Sequence, residues 1–182
     1  MAKFQMTAPR PTHAAVTCRL GTAANAGGRY TDTEQFKLAK LAGDSRYALC
    51  AAGDAIEAQI ISLEPLAATQ DGYTIGSVKT SGQIAAICDG LQAAPGSTAS
   101  IAVGDYVVCG TVVAKDTALT ASDPRPKVCK ATEQPGSAVA GTFNAANVGI
   151  AIRNSMFAWR VVSLGDSGAV GDTCLIERVN EV

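Results

Sequence analysis

Short apolar runs alternate with clusters of Gly, Asp, Pro and Ser along most of the chain, and this alternation predicts an all-β fold. Residues 31–42 carry both a capping pattern typical of a helix and an alternating pattern, and the alternation favours a strand. Many short strands separated by turn residues are typical of a β-sandwich or a β-barrel. The other runs that predict strands are 16–20, 46–51, 56–63, 73–78, 83–88, 105–114, 127–131, 148–152, 157–164 and 173–179.

Two pairs of segments resemble each other within the chain. Residues 59–63 and 160–164 share residue types, and in both the apolar face changes sides in the middle of the run. Such a change predicts a β-bulge, or a strand that passes from one sheet to another. A weaker likeness joins residues 43–50 to 104–109, and because the two separations differ, the sequence leaves an internal duplication open.

The domain organisation follows from proline and polar segments. Residues 1–15 contain Pro9 and Pro11 and few apolar side chains, so they predict an extended N-terminal arm. Residues 16–182 predict one β-rich domain, with two small lobes divided near 91–104 as the alternative. Long polar connections occur at 91–100, 115–126 and 132–147, and loops of this length in a compact domain are commonly used for contact.

The charge balance narrows the class of partner. The formal net charge is −1, so the sequence offers no basic excess for nucleic acid. No apolar run is long enough to span a membrane, and the first residues show no signal-peptide pattern, so we expect synthesis in a cytosol. In that compartment the six cysteines are expected to be buried free thiols rather than disulfides. Their spacing, with His13 as the single histidine, predicts neither a metal site nor a cofactor.

One motif suggests catalysis. Residues 165–168 read GDSG, which resembles the nucleophile segment of chymotrypsin-like serine proteases. That chemistry needs a histidine base, and His13 lies in the predicted arm. The Gly-Asp dipeptide occurs five times in the chain, so a recurring turn explains the motif better. We therefore expect no enzyme, and a small β-barrel serine hydrolase that uses Ser167 is the least favoured alternative.

Several segments carry a family resemblance. Residues 41–57 read LAGDSRYALCAAGDAIE, and they are followed by LEP at 63–65 and DGYTIGSV at 71–78. The second half adds VGDYVV at 103–108 and GTVV at 110–113. Together these segments resemble the capsid decoration (cement) proteins of tailed bacteriophages.

The resemblance implies a structural protein of the virion. Such proteins are made in the host bacterial cytoplasm, bind the outer surface of the expanded major capsid protein lattice as oligomers and stabilise it. A homodimer or homotrimer is therefore expected, and another virion component of the tail or head completion is the alternative. Arms and loops give affinity without a pocket, so the candidate contact residues lie in the arm and in the proline-rich connection. They are Phe4, Met6, Pro9, Arg10, Pro124 and Arg125.

The apolar side chains of the arm leave two interpretations. Phe4 and Met6 either dock on another subunit or belong to a frayed terminus. Deletion of residues 1–10 tests the first interpretation. We expect the melting temperature of the truncated protein to stay unchanged, while its assembly, measured by sedimentation, weakens. A large drop in melting temperature would instead place the arm in the core.

Overall fold

The protein is almost entirely β-structure, as the sequence predicts. The computed structural model describes residues 15–21, 30, 32–42, 46–68, 73–111, 125–132 and 159–179. Within these ranges lie eleven strands and one short 3₁₀ helix at Asp32–Glu34. Residues 31–42, for which the alternation favours a strand, divide into this helix and a strand over Leu38–Ala42.

The first five strands close into a ring, which we name the first barrel. They are β1 (Ala15–Leu20), β2 (Leu38–Ala42), β3 (Arg46–Leu49), β4 (Ala58–Ala68) and β5 (Thr74–Lys79). The order around the ring is β1-β3-β2-β4-β5, and antiparallel pairing of β5 with β1 closes it. The β1–β3 pair is parallel. A closed ring has no unpaired edge along its length, which protects such short strands from edge-to-edge association.

The remaining strands form a second ring, the second barrel. They are β6 (Gln83–Leu91), β7 (Ala94–Pro95), β8 (Tyr106–Cys109), β9 (Lys127–Lys130), β10 (Trp159–Leu164) and β11 (Thr173–Arg178). The sheet order is β11-β10-β8-β9-β6-β7, and an additional β11–β6 pairing closes all but β7 into a ring. The two-residue β7 folds back on the end of β6.

The two barrels have the same topology. If β6, β8, β9, β10 and β11 replace β1, β2, β3, β4 and β5, the strand order around the ring is unchanged. The parallel pair also falls in the same place, β1 with β3 and β6 with β9. The sequence left a duplication open, and the strand connectivity shows that the chain contains the same five-stranded arrangement twice.

The equivalence extends to single hydrogen bonds at the start of the second strand of each barrel. Phe36 N–H donates to Ile60 O at 2.8 Å, and Gly104 N–H donates to Val161 O at the same distance. Phe36 and Gly104 both have positive φ, 66° and 96°. A phenylalanine rarely adopts this backbone conformation, so the fold imposes it at Phe36.

The likeness of 59–63 to 160–164 is confirmed as a structural equivalence, bulge included. The β4–β5 register shifts between Ile60 and Ser62, and the β10–β11 register shifts between Val161 and Ser163. The alignment of residues 43–50 with residues 104–109 that the sequence suggests is wrong. It matches β3 with β8, whereas the topological counterpart of β8 is β2.

A four-residue turn of sequence Ala-x-Gly-Asp recurs three times in the described chain. It occupies 51–54, 102–105 and 169–172. In each turn the Asp N–H donates to the Ala carbonyl at 3.0–3.1 Å. The Ala N–H donates to the Asp carboxylate at 2.7–3.0 Å. The glycine has positive φ in all three turns, a conformation that glycine adopts at little cost.

Gly165-Asp166 does not form this turn, so one recurring turn does not explain every Gly-Asp pair. Gly165 lacks a positive φ, and its N–H donates to Thr173 O at 2.8 Å, which closes the end of the β10–β11 hairpin. The segment is the connection of the β10–β11 hairpin. The Gly43-Asp44 pair lies outside the described residues.

The buried apolar side chains form two clusters, and one of them crosses the junction between the barrels. The first barrel encloses Leu20, Ile60 and Val78, among others, and every member of that cluster comes from the first barrel. The cluster of the second barrel contains Trp159, which is 1% exposed. It also takes in side chains from the first barrel, namely Leu38, Cys50 and Ile56.

The change from one barrel to the other occurs at residues 80–82, between β5 and β6. The proposed division near 91–104 falls instead inside the second barrel, between β6 and β8. All six cysteines are free and five are buried, with Cys18 half-buried. The prediction of buried free thiols is therefore confirmed.

Two glycines of the β10–β11 connection give a matched test of packing. A Cβ at Gly168 would lie 2.0 Å from Ile101 O, whereas one at Gly171 would meet nothing within 4 Å, and φ is positive at both. Both alanine variants incur the left-handed backbone cost of about 1–2 kcal/mol. We expect Gly168→Ala to lower the unfolding free energy, measured in urea, by about 1–3 kcal/mol more than Gly171→Ala. Equal losses of unfolding free energy in the two variants would show that Ile101 moves away from the added Cβ at no measurable cost.

Candidate functional site

An open cleft lies where the two barrels meet. Its first-barrel side is lined by Lys37, Leu38, Leu49 and Cys50, and its second-barrel side by Cys109, Thr111, Arg125, Pro126 and Lys127. Including its mouth, the cleft measures about 320 Å³. The described lining residues include three cationic side chains and no carboxylate.

The cleft exists because backbone groups of the first barrel pair with the end of β8. Gly53 N–H donates to Cys109 O at 2.8 Å, and Cys109 N–H donates to Asp54 O at 2.9 Å. Gln92 Nε2 adds a bond to Gly53 O at 3.2 Å. The Ala-x-Gly-Asp turn at 51–54 thus forms one further backbone bridge with Cys109 at the end of β8. This bridge fixes the position of the two barrels relative to each other.

A buried carboxylate stands behind the cleft. The Asp89 side chain is 1% exposed and pairs with Lys127, whose Nζ lies 3.3 Å from Oδ1. Thr111 N–H donates to Asp89 Oδ2 at 2.7 Å. The Cys129 thiol donates to the Asp89 carbonyl at 3.3 Å. Each carboxylate oxygen therefore has a partner, as a buried charge requires.

Hydrogen bonds decide the ionisation of this group. Burial alone would raise the pKa of Asp89, but the bonds from Thr111 and the ammonium of Lys127 outweigh it and hold the pKa below its ordinary value. Asp89 is therefore charged in the folded protein at neutral pH, and it is paired rather than poised for proton transfer.

Asp89 holds both ends of a connection that is much shorter in the first barrel. Thr111 lies at the start of the connection between β8 and β9, and Lys127 directly follows it. This connection runs over 110–126, whereas its counterpart in the first barrel covers only 43–45. The next connection is also longer, 131–158 against 50–57. The barrels thus share the arrangement of five strands and differ most in the length of these two connections.

Of the residues proposed for contact from the sequence, one is described. Arg125 is half-buried and lines the cleft next to Pro126. Phe4, Met6, Pro9, Arg10 and Pro124 lie outside the described residues. Their roles in contact stay predictions, as does that of Arg125.

Ser167 takes part in a local turn network. Its hydroxyl donates to Asp172 Oδ2 at 2.9 Å and accepts weakly from Ala169 N–H at 3.4 Å. Asp172 Oδ2 also accepts from Ala169 N–H, so this carboxylate closes the third Ala-x-Gly-Asp turn. The arrangement serves the backbone, and the chain has no histidine after His13 that could act as the base.

The thiols of Cys18, Cys50 and Cys129 are held in their neutral form. Burial raises the pKa of Cys18 to about 11 and that of Cys129 to about 12. Cys50 and Cys109 face each other across the junction, and their mutual hydrogen bond, with burial, raises the pKa of Cys50. Thiolate is the form that attacks and ligates, so these environments disfavour both roles. No cluster of three or more metal-ligating side chains occurs within the described ranges.

Sequence reasoning missed Asp89 and Lys127. Asp89 lies in the run ICDGL of β6, where an acidic residue interrupts an otherwise apolar strand. An aspartate at such a position signals a buried charge that needs a partner. The partner could not be named from the sequence, because Lys127 is far along the chain and is brought near by the parallel β6–β9 pair.

Replacement of Asp89 by asparagine tests whether its charge stabilises the fold by holding the ends of the 110–126 connection. Asp89→Asn removes the charge that faces Lys127 and weakens an acceptor, so the unfolding free energy should fall by about 1–3 kcal/mol. Asp166→Asn, at an exposed position of the β10–β11 connection, is the control and should change it by less than about 0.5 kcal/mol.

The pH dependence gives a second measurement on the same pair of variants. Because the folded pKa of Asp89 is lowered, its contribution is present above the unfolded value of about 4 and is lost as pH falls below it. Urea midpoints measured from about pH 7 to about pH 3 should therefore fall less in Asp89→Asn than in the wild type. Parallel curves would contradict the role given to Asp89.

In comparisons with known proteins, no family model, no curated protein and no solved structure matches this chain. Among the described residues no helix has the length and apolarity to cross a membrane. What can be said of its function therefore depends on its own residues.

Proposed function

We propose that the protein is a capsid decoration protein, a structural component that binds the outer surface of a bacteriophage capsid and stabilises it. The observation that carries the proposal is the resemblance of residues 41–57, 63–65 and 71–78 to that family. The described parts of these segments belong to β2–β5 and the turn at 51–54, so the resemblance follows one continuous part of the first barrel.

The architecture suits a load-bearing surface protein. Both barrels are closed rings of short strands, and closure leaves few unpaired edges for unwanted association. Three turns of the same type, each held by an aspartate, shorten the connections between elements. A rigid module of this kind resists local unfolding when it is held under strain.

The two long connections of the second barrel support a binding role. Two barrels of one topology need the same strands to fold, so length added to only one of them is not needed for closure. The 110–126 connection is held at its root by the buried Asp89 and leads into the cleft at Arg125. Loops presented by a rigid scaffold are common binding elements.

Binding at many repeated sites removes the need for a strong single contact. Many copies on one capsid gain from multivalency when each molecule or oligomer touches several capsid subunits. The near-neutral charge of −1 keeps repulsion between crowded copies small. The scarcity of aromatic residues, 5% of the chain, is compatible with contacts that are individually modest.

Co-sedimentation with capsids tests the proposal. Purified protein is mixed with expanded capsids that lack it, and with unexpanded shells as the control, and bound protein is measured in the pellet. We expect saturable binding to the expanded capsids, spread evenly over the head when labelled protein is imaged by electron microscopy. Absence from the pellet at every salt concentration would refute the proposal, and a signal at one vertex or on the tail would favour another virion role.

A charge reversal in the cleft localises the contact. Arg125→Glu should weaken capsid binding by about tenfold, because a contact cation becomes an anion. Arg160→Glu, on β10 of the same barrel and similarly half-buried, is the matched control and should bind normally. Urea unfolding of both variants verifies that the fold is kept. Equal binding by the two variants would exclude Arg125 from the contact.

A further inference from the structure

Leu41 is an exposed leucine at a position that is buried in the other barrel. Its side chain is 55% exposed at the end of β2. The register identifies its counterpart: Leu41 pairs with Tyr47 of β3, and Cys109 pairs with Val128 of β9. Tyr47 and Val128 are themselves equivalent, since they pair with Leu20 and Cys88 in the two parallel ladders. Cys109 is only 4% exposed.

The first barrel is what covers Cys109. The turn at 51–54 bonds both backbone groups of Cys109, at 2.8 and 2.9 Å. Behind it, Leu38, Cys50 and Ile56 of the first barrel join the core of the second. This end of the second barrel is therefore closed by a barrel of the same topology.

At the corresponding end of the first barrel, among the described residues, a side chain takes the place of the backbone bridge. The Leu41 N–H donates to a carboxylate oxygen of Glu57, in the place where Cys109 donates to a backbone carbonyl. The core cluster of the first barrel contains no described residue of the second. Leu41 thus marks a barrel end that has the geometry of the junction and, within the part of the chain that the structure describes, no second barrel packed on it.

We propose that the Leu41 end of the first barrel binds a second copy of this chain, through that copy's second barrel. The junction within the chain shows that a barrel of this topology can close such an end by a backbone bridge and apolar packing. The resulting contact is heterologous, one barrel end against a different surface, so it builds a ring or an open row of molecules. On binding, the Glu57 carboxylate gives up the Leu41 N–H to a backbone carbonyl of the incoming copy.

This inference does not depend on capsid binding. It concerns the purified protein alone, and its test uses no capsid. Co-sedimentation can therefore fail while self-association succeeds, and the reverse, so the two proposals are separable.

Sedimentation velocity over a range of protein concentrations tests the surface. We expect the weight-average mass of the full chain to rise above 18.5 kDa with concentration. Leu41→Lys adds a charge at an already exposed position, so it should leave the fold intact and keep the protein at that mass. Val16→Lys, at a 42% exposed position at the far end of β1 in the same barrel, is the matched control and should associate like the wild type.

A second variant should act in the opposite direction. Glu57→Ala removes the side chain that occupies the Leu41 N–H, so association should strengthen at least severalfold, provided that urea unfolding shows a folded protein. A chain that stays monomeric at every concentration, or a Leu41→Lys variant that associates like the wild type, would overturn the proposal. The proposal would also be overturned if the wild type is monomeric and Leu41→Lys loses capsid binding. The Leu41 end would then bind the capsid and not a second copy of the chain.

Discussion

The burial of the core in each barrel depends on how the ends of the barrel are closed. Pairing between first and last strands closes each ring around its side, but five short strands leave an end through which the core can meet water. The second barrel solves this with its neighbour, which supplies Leu38, Cys50 and Ile56 to the core and a backbone bridge to Cys109. The division of the chain into two barrels is therefore also what completes the larger core.

The same constraint explains where the two copies of the topology differ. The order of their five strands, the place of the parallel pair and the bulge after Ile60 and Val161 agree, because a change in strand order would break the ring. The connections can vary, and the second barrel lengthens two of them most, over 110–126 and 131–158. A long connection must be held at its root. Asp89 does this with a buried charge, at a position where the first barrel has Gly21 and only the short connection 43–45.

Much of the fold could be predicted from the chain alone, because short strands with alternating side chains leave a local signature. The bulge after Ile60 was visible as a change of face. Ring closure could not be predicted, since it depends on pairing between distant strands of similar composition. The wrong alignment of 43–50 with 104–109 has the same origin, because a Gly-Asp turn before an apolar run looks alike in front of any strand. Of the candidate site, only Arg125 was predicted from the sequence. Asp89 and Lys127 are brought together by a parallel strand pair that no local sequence pattern reveals.

The position of the single tryptophan gives the two barrels different optical properties. Trp159 belongs to the second barrel and is packed in its core, while the first barrel contains tyrosines and no tryptophan. Indole emission therefore reports the core of the second barrel, whereas backbone circular dichroism reports the strands of both barrels. Because side chains of the first barrel complete the core around Trp159, loss of the first barrel should also be felt by the indole. Whether the two signals change together thus measures how far the shared core makes two barrels behave as one cooperative unit.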